Sequence, residues 1–200
     1  MAEVMQVEGV AAGGLARKRT GRRRFYRWRV PSAYAVGLLA FGLARPTHWS
    51  LLLALGFILP GQALRLWASG HIEKTRCLAT GGPYRHTQHP LYLGTCLIAL
   101  GVAVAAARFS VLLAVGAYLA AFFPYVIRSE RDFLHRSFGR EYERWTAEVP
   151  QFLPRLFPAG DPGTRFAWRR VLSNREWQAC LAPPAALALY QVKESLMAFL

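Results

Sequence analysis

Two short stretches hold the side chains with chemistry to offer. The first is GGPYRHTQHPLYLG, Gly81 to Gly94, which sets two histidines, an arginine, a glutamine and two tyrosines against an apolar run beginning at Leu91. The second is SERDFLHRSFGREY, Ser129 to Tyr142, led by Glu130. Imidazoles and a carboxylate are proton-transfer groups. A carboxylate also binds sugar hydroxyls or steadies a cation, more strongly where the dielectric is low. Polar clusters at membrane depth are functional-site candidates by default. Gly81-Gly82-Pro83 predicts a turn that delivers Tyr84, Arg85 and His86 to the membrane surface. His89-Pro90 then starts a helix, with Pro90 in its first turn, where a missing N–H costs nothing. The unpaired N–H groups of that turn make a shallow anion site. Tyr92 and Leu93 line its wall, and Gly94 admits a bulky ligand close to the backbone. Each residue also has a plainer reading. His86 is then an interfacial histidine, Tyr84 and Tyr92 are belt aromatics, His89 braces the helix start, and Glu130 pairs with Arg131 or Arg85.

The elements that must position these groups are apolar helices. The chain is 54% hydrophobic yet carries 25 Lys+Arg against 11 Asp+Glu. Both are compatible only because the apolar residues form blocks and the arginines sit between them. Pro31–Ala44 is short for a span of about 20 residues, but Phe25, Tyr26 and Trp28 lead it in at the interface. Trp49–Trp67 is interrupted by Pro60, Gly61 and Gln62. It reads as a kinked helix whose Arg65 snorkels into the headgroups, with a functional role for Gln62 and Arg65 left open. Leu91–Ala107 and Ser110–Ile127 form a tight antiparallel hairpin. Small residues (Gly94, Gly101 and Ala105 on one arm; Ala114, Gly116, Ala117 and Ala120 on the other) permit close packing. Ala179–Tyr190 is broken by Pro183-Pro184, and the tail reads as a re-entrant or surface-lying helix.

Charge orients the bundle. The N-terminal flank has eight Arg/Lys, the loop after the second block has Lys74, Arg76 and Arg85, and ten arginines follow Ile127 up to Arg175. The other side offers Arg45 and Arg108. The positive-inside rule puts the N-terminus, the 70–90 loop and the region after 128 in the cytoplasm. The basic balance suits anionic lipid headgroups. A soluble nucleic-acid binder would not contain the two long apolar runs. Residues 1–16 lack the layout of a signal peptide. Cys77, Cys96 and Cys180 are scattered and support neither a disulfide framework nor a metal site.

The glycine block, followed by Glu130, Leu134, Phe138, Gly139, Tyr142, Trp145, Val149, Pro150 and Pro154, resembles the isoprenylcysteine carboxyl methyltransferase and phospholipid methyltransferase family. GQALRLWA, residues 61–68, resembles the end of that family's second helix. The likeness covers roughly residues 55–155. It implies an all-α, polytopic membrane protein with four to five transmembrane helices and a cytoplasmic C-terminal cofactor-binding segment. Its parts are a basic segment 1–29, a core 30–155 and a helical extension 156–200. It implies S-adenosylmethionine as cofactor, bound by Tyr84, Arg85, Gln88, His89, Pro90, Tyr92, Leu93, Gly94 and Glu130, with His89 and Glu130 catalytic and no metal. Three positions depart from the family pattern: Gln88 replaces an arginine, Arg131 a second glutamate, and Trp145 a tyrosine. Gln88 and Arg131 read either as a charge swap within one pocket or as the mark of a different acceptor or a changed cofactor.

The implied reaction is methyl transfer to a lipophilic small-molecule or lipidated acceptor, of the isoprenylcysteine carboxylate or lipid-headgroup type. The expected setting is the cytoplasmic face of a bacterial inner membrane, with membrane lipids as partners, a monomeric state and no nucleic acid. Positioning in a dry pocket supplies much of such catalysis, so the lack of a nucleophilic triad is compatible. The region 130–175 has the aromatics to fold back as a lid. The alternatives are an NADPH-dependent membrane reductase of related architecture and a non-catalytic membrane scaffold.

Overall fold

The computed structural model describes residues 28–73, 77–160 and 162–199. The basic run from Arg17 to Arg27, and Lys74 and Arg76 of the loop, lie outside the described residues. Among the described residues the structure is helical, with no strand. The chain divides into two compact units, Met1–Leu39 and Ala40–Leu200. In the first, the described residues belong to helix α1 (residues 28–43), which carries Trp28, Tyr34 and Leu38 exposed along it.

In the second unit, α2 (His48–Ser69) starts with a capping box. Thr47 N–H donates to Ser50 Oγ at 3.0 Å, and Ser50 N–H donates to Thr47 Oγ1 at 3.1 Å, satisfying two otherwise orphaned donors. As expected of a helix that carries Pro60-Gly61-Gln62 inside it, α2 runs through Pro60 as one 22-residue helix. Tertiary packing holds it there. α3 (Pro90–Ala105) lies against α2 with small residues facing small residues at a seven-residue repeat on both helices. A Cβ on Gly61 would sit 2.8 Å from the Gly94 carbonyl oxygen, and one on Gly101 would sit 2.9 Å from the Ala54 carbonyl oxygen. The backbones meet directly, as small residues allow in membrane bundles.

This corrects the expected packing of the hairpin. The small face of α3 is spent on α2 rather than on α4 (Phe109–Phe138), and a Cβ on Gly116 of α4 would meet nothing within 4 Å. The turn is Ala106 to Arg108, with Ala107 at φ 50°, and Phe109 already belongs to α4.

Among the described residues two helices, α2 and α4, are long and apolar enough to cross a membrane, and α3 is a shorter apolar helix. Only 28% of the apolar window of α2 and 17% of that of α4 is buried. Apolar faces this bare suit a membrane or a partner surface.

α4 continues past its apolar part into a polar end bearing Glu130 and Arg131, then breaks at Gly139. α5 (Arg140–Glu148) turns Tyr142 and Trp145 inward onto Ala68, Leu78, Tyr84 and Val149, a core at the C-terminal end of α2. A second core, with Leu51, Ala54, Ala103, Val111 and Tyr190, sits at the N-terminal end of α2. After an extended strap and the short α6 (Trp168–Ser173), α7 (Glu176–Phe199) continues through Pro183-Pro184 for 24 residues. It packs on α2 and α3. Tyr190 is buried and stacks on Phe41, and Lys193 Nζ reaches the Phe41 and Gly42 carbonyls in the last turn of α1. A cation on terminal carbonyls is favourable. The expected break at Pro183-Pro184 does not occur, and α7 is not among the helices long and apolar enough to cross a membrane.

Candidate active site

The Gly81–Gly94 loop is shaped by what presses on it. Gly82 has φ 56°, and any Cβ there would strike the buried His71 ring. A 3₁₀ turn over Gly82–Arg85 follows, so the expected turn is present. Pro90 occupies the first helical position of α3, after His89 as N-cap, and Leu93 N–H closes the first turn on the His89 carbonyl. Gly94 is filled from α2 by Gly61 and the Arg65 stem.

Successive loop residues are held by the chain after Tyr142. Trp145 Nε1–H donates to the Tyr84 carbonyl at 3.2 Å. Arg85 donates through Nε to the Ala159 carbonyl and through Nη2 to the Gly160 carbonyl, at 3.0 and 2.9 Å. His86 Nδ1 meets the Arg155 carbonyl at 2.8 Å, and Thr87 Oγ1 donates to the Phe152 carbonyl at 3.0 Å. Gln88 N–H donates to the Pro150 carbonyl at 2.9 Å, and its Nε2 donates to the Val149 carbonyl at 2.6 Å.

That last bond fixes the orientation of Gln88. With its amide nitrogen committed, its Oε1 is buried without a hydrogen-bond partner. Glu130 Oε2 is in the same condition, while Tyr92 hydrogen-bonds the Glu130 carboxyl. Gln88 and Glu130 line one cavity of about 430 Å³, walled by Tyr84, Phe133, Phe138 and Trp145, with Cys77 also on its surface. Buried polar atoms without partners are costly, and two acceptors around one cavity mark a place for a ligand with donors or positive charge. His89 Nε2 and the Tyr142 hydroxyl are likewise buried without partners. His89 stacks edge-on to Tyr92, with ring centroids 5.7 Å apart.

Burial lowers His89 to a pKa of about 4, and the charge of Arg131 pushes the same way. Its imidazole is neutral at physiological pH. Burial raises the Tyr84 phenol, with Glu130, Tyr92 and Glu176 adding to the effect and Arg65 opposing it. That phenol stays protonated.

Sequence reasoning missed one ion pair and one groove. Arg65 does not snorkel. Its Nε pairs with Glu176 of α7 at 2.6 Å, and its Nη1 donates to Thr95 Oγ1. Nothing local in the sequence joins positions 111 residues apart. The Gln62 amide is buried with both atoms unpartnered. The groove, about 580 Å³, runs along α4 past Cys96, Leu119 and Phe123 to Arg128, Arg131, Gln151 and Phe152. Its signal was two arginines one turn apart immediately after an apolar run. Gln88 and Arg131 also line a common cleft of about 490 Å³ with residues 146–151. Arg131 donates to Gln151 Oε1 there, at 3.4 Å.

The chain is similar in sequence to several known proteins. The chain is 34% identical over 142 residues to the cobalt-zinc-cadmium resistance protein CzcN of Cupriavidus metallidurans, covering 68% of this chain and 65% of that protein. It is 34% identical over 113 residues to protein-S-isoprenylcysteine O-methyltransferase of Schizosaccharomyces pombe, covering 50% and 48%. It is 35% identical over 96 residues to the nickel-cobalt-cadmium resistance protein NccN of Alcaligenes xylosoxydans xylosoxydans, covering 46% and 44%. The chain thus spans about half to two thirds of the length of these relatives. No solved structure matches it. The phospholipid methyltransferase family model matches residues 32–141, which contain the His89 loop, Glu130 and both long apolar helices. On that match the chain is a membrane protein and belongs to the phospholipid methyltransferase family.

Proposed function

We propose that the protein transfers a methyl group from S-adenosylmethionine to a lipophilic acceptor at the cytoplasmic face of a bacterial inner membrane. The observation that carries this is the pair of buried, unpartnered acceptors, Gln88 Oε1 and Glu130 Oε2, on one aromatic-walled cavity. The cavity's volume lies within the range of about 300–1,000 Å³ usual for small-molecule sites.

The cavity residues fit that cofactor. When bound, it supplies an electrophilic methyl group on a positively charged sulfonium. The Glu130 carboxylate and the faces of Tyr84, Phe133 and Trp145 favour a cation. Gln88 Oε1 accepts from a hydroxyl or amino group. Arg85, Pro90 and Gly94 act behind these groups, through the strap and the α2–α3 contact. Contrary to expectation, Leu93 and Tyr92 do not line the cavity; Tyr92 steadies the Glu130 carboxyl from α3. His89 is neutral, and its buried Nε2 is free to accept a hydrogen bond next to Tyr92.

Four crossings, by α1, α2, α3 and α4, agree with the distribution of arginine, and α7 packs on α2 and α3. The alternative reading, an NADPH-dependent reductase, calls for the same cavity to take a nicotinamide. Equilibrium binding to the purified protein separates the two. Labelled S-adenosylmethionine should bind, NADPH should not, and Glu130→Gln and His89→Ala should each weaken binding at least about tenfold, roughly 1.4 kcal/mol. Binding of NADPH in preference, or unchanged affinity in both variants, would remove this reading.

A further inference from the structure

The groove on α4 is apolar for most of its length and cationic at one end. Leu119, Phe123, Pro124 and Ile127 form its wall, and Arg128 and Arg131 close it. The two arginines are three residues apart and therefore share a helix face. Arg131 also lines the polar cleft beside Gln88 and bears on the charge state of His89, so the groove's cationic end abuts the candidate active site. We propose that this groove seats the acceptor, and that Arg131, with Arg128, selects an amphiphile whose head is an oxygen acid rather than an ammonium. The inference rests on the methyl-transfer reading for its function and on the groove alone for its chemistry.

Four observations bear on it. A guanidinium carries five donors in a fork that matches carboxylate and phosphate oxygens, and the one bond from Arg131 to Gln151 is 3.4 Å long. Two carboxylates lie near Arg131, and neither is bonded to it. Glu148 shares the polar cleft with Arg131 and Gln88, and its Oε2 lies toward Gly160 on the strap. Glu130 is bonded by Tyr92 and lines the other, aromatic cavity. An ammonium head would be repelled by both arginines. It would also have to lose a proton before accepting a methyl group. His89, held near pKa 4, is too weak a base to take it at neutral pH, and Glu130, the other proton-transfer group, faces the aromatic cavity rather than the groove. An ionised acid needs no base.

The test uses the full chain in nanodiscs of zwitterionic lipid, with probes that share one tail: dodecanoate, dodecyl phosphate, dodecylamine and dodecanol. Isothermal titration should show at least one acid binding tenfold or more tighter than the amine, and the tighter acid identifies the head. Arg131→Gln should reduce that preference to threefold or less, and Arg128→Gln should reduce it in part. Arg140→Gln, on exposed α5, should leave it intact. Ala120→Trp, which fills the groove, should weaken every probe. Equal binding of acid and amine, or an equal loss in Arg140→Gln from charge alone, overturns the proposal. S-adenosylmethionine binding is measured on the same samples. Its absence would sink the methyl-transfer reading and leave the acid preference standing, whereas a missing preference with cofactor binding intact would sink this inference alone.

Discussion

At the residue scale, His89 ties pH to folding. Its folded pKa, about 4, lies below the ordinary 6.5. Between these values the unfolded chain holds a proton that the folded chain refuses. The contribution is therefore complete above about pH 6.5 and is lost as pH falls toward 4. Unfolding temperature measured across that range should fall more steeply for the natural chain than for His89→Gln, and parallel curves would contradict the burial of a neutral imidazole. The individual site residues were visible in the sequence because histidine, glutamine and tyrosine are out of place beside an apolar run. Their roles were not. Gln88 presents an acceptor only because Val149, 61 residues later, takes its amide nitrogen. Arg65 was misread because its partner Glu176 lies on the last helix, where pattern alone assigns no neighbour.

At the element scale, seven-residue spacing of small residues on α2 and α3 sets the closest helix contact. Gly101→Ala would place a Cβ 2.6 Å from Ile58 Cγ1. It should cost about 1–3 kcal/mol. Gly116→Ala on α4 meets open space and should be neutral or stabilising by up to about 1 kcal/mol. Equilibrium unfolding of the two variants in detergent checks the contrast, and similar effects would mean that α4 rather than α2 covers α3. Glu176→Gln tests the tail in the same assay. Removing one partner of a buried pair costs roughly 3–5 kcal/mol, and the low end applies here because the Arg65 side chain keeps 19% exposure. A loss below about 1 kcal/mol would mean that the pair does not hold α7. The apolar blocks were legible as helices because their lengths and composition admit little else. Which faces meet was not, since small residues lie on several faces and only the three-dimensional arrangement selects among them. Pro183-Pro184 misled for a related reason: tertiary packing outweighed local propensity.

At the scale of the whole molecule, the proposed orientation has one direct consequence. A cysteine introduced at Arg140 should be reached by a membrane-impermeant thiol reagent from the cytoplasmic side of inverted vesicles and not in intact cells. Labelling from outside would reverse the topology. The described helices carry this orientation through Arg128 to Arg175, whereas the N-terminal basic run that also motivates it lies outside the described residues. The hold of residues 145–160 on Tyr84 through Gln88 also imposes an order on biosynthesis. The ribosome delivers the loop and both arms of the α3–α4 hairpin before the strap that fixes them. Until then Gln88 lacks the carbonyl that aims it, and the aromatic cavity lacks the Trp145 wall. A nascent chain arrested near residue 140 would therefore be inserted in the membrane yet unable to retain the cofactor. One arrested beyond the strap, with enough chain out of the exit tunnel, would retain it while still attached to the ribosome.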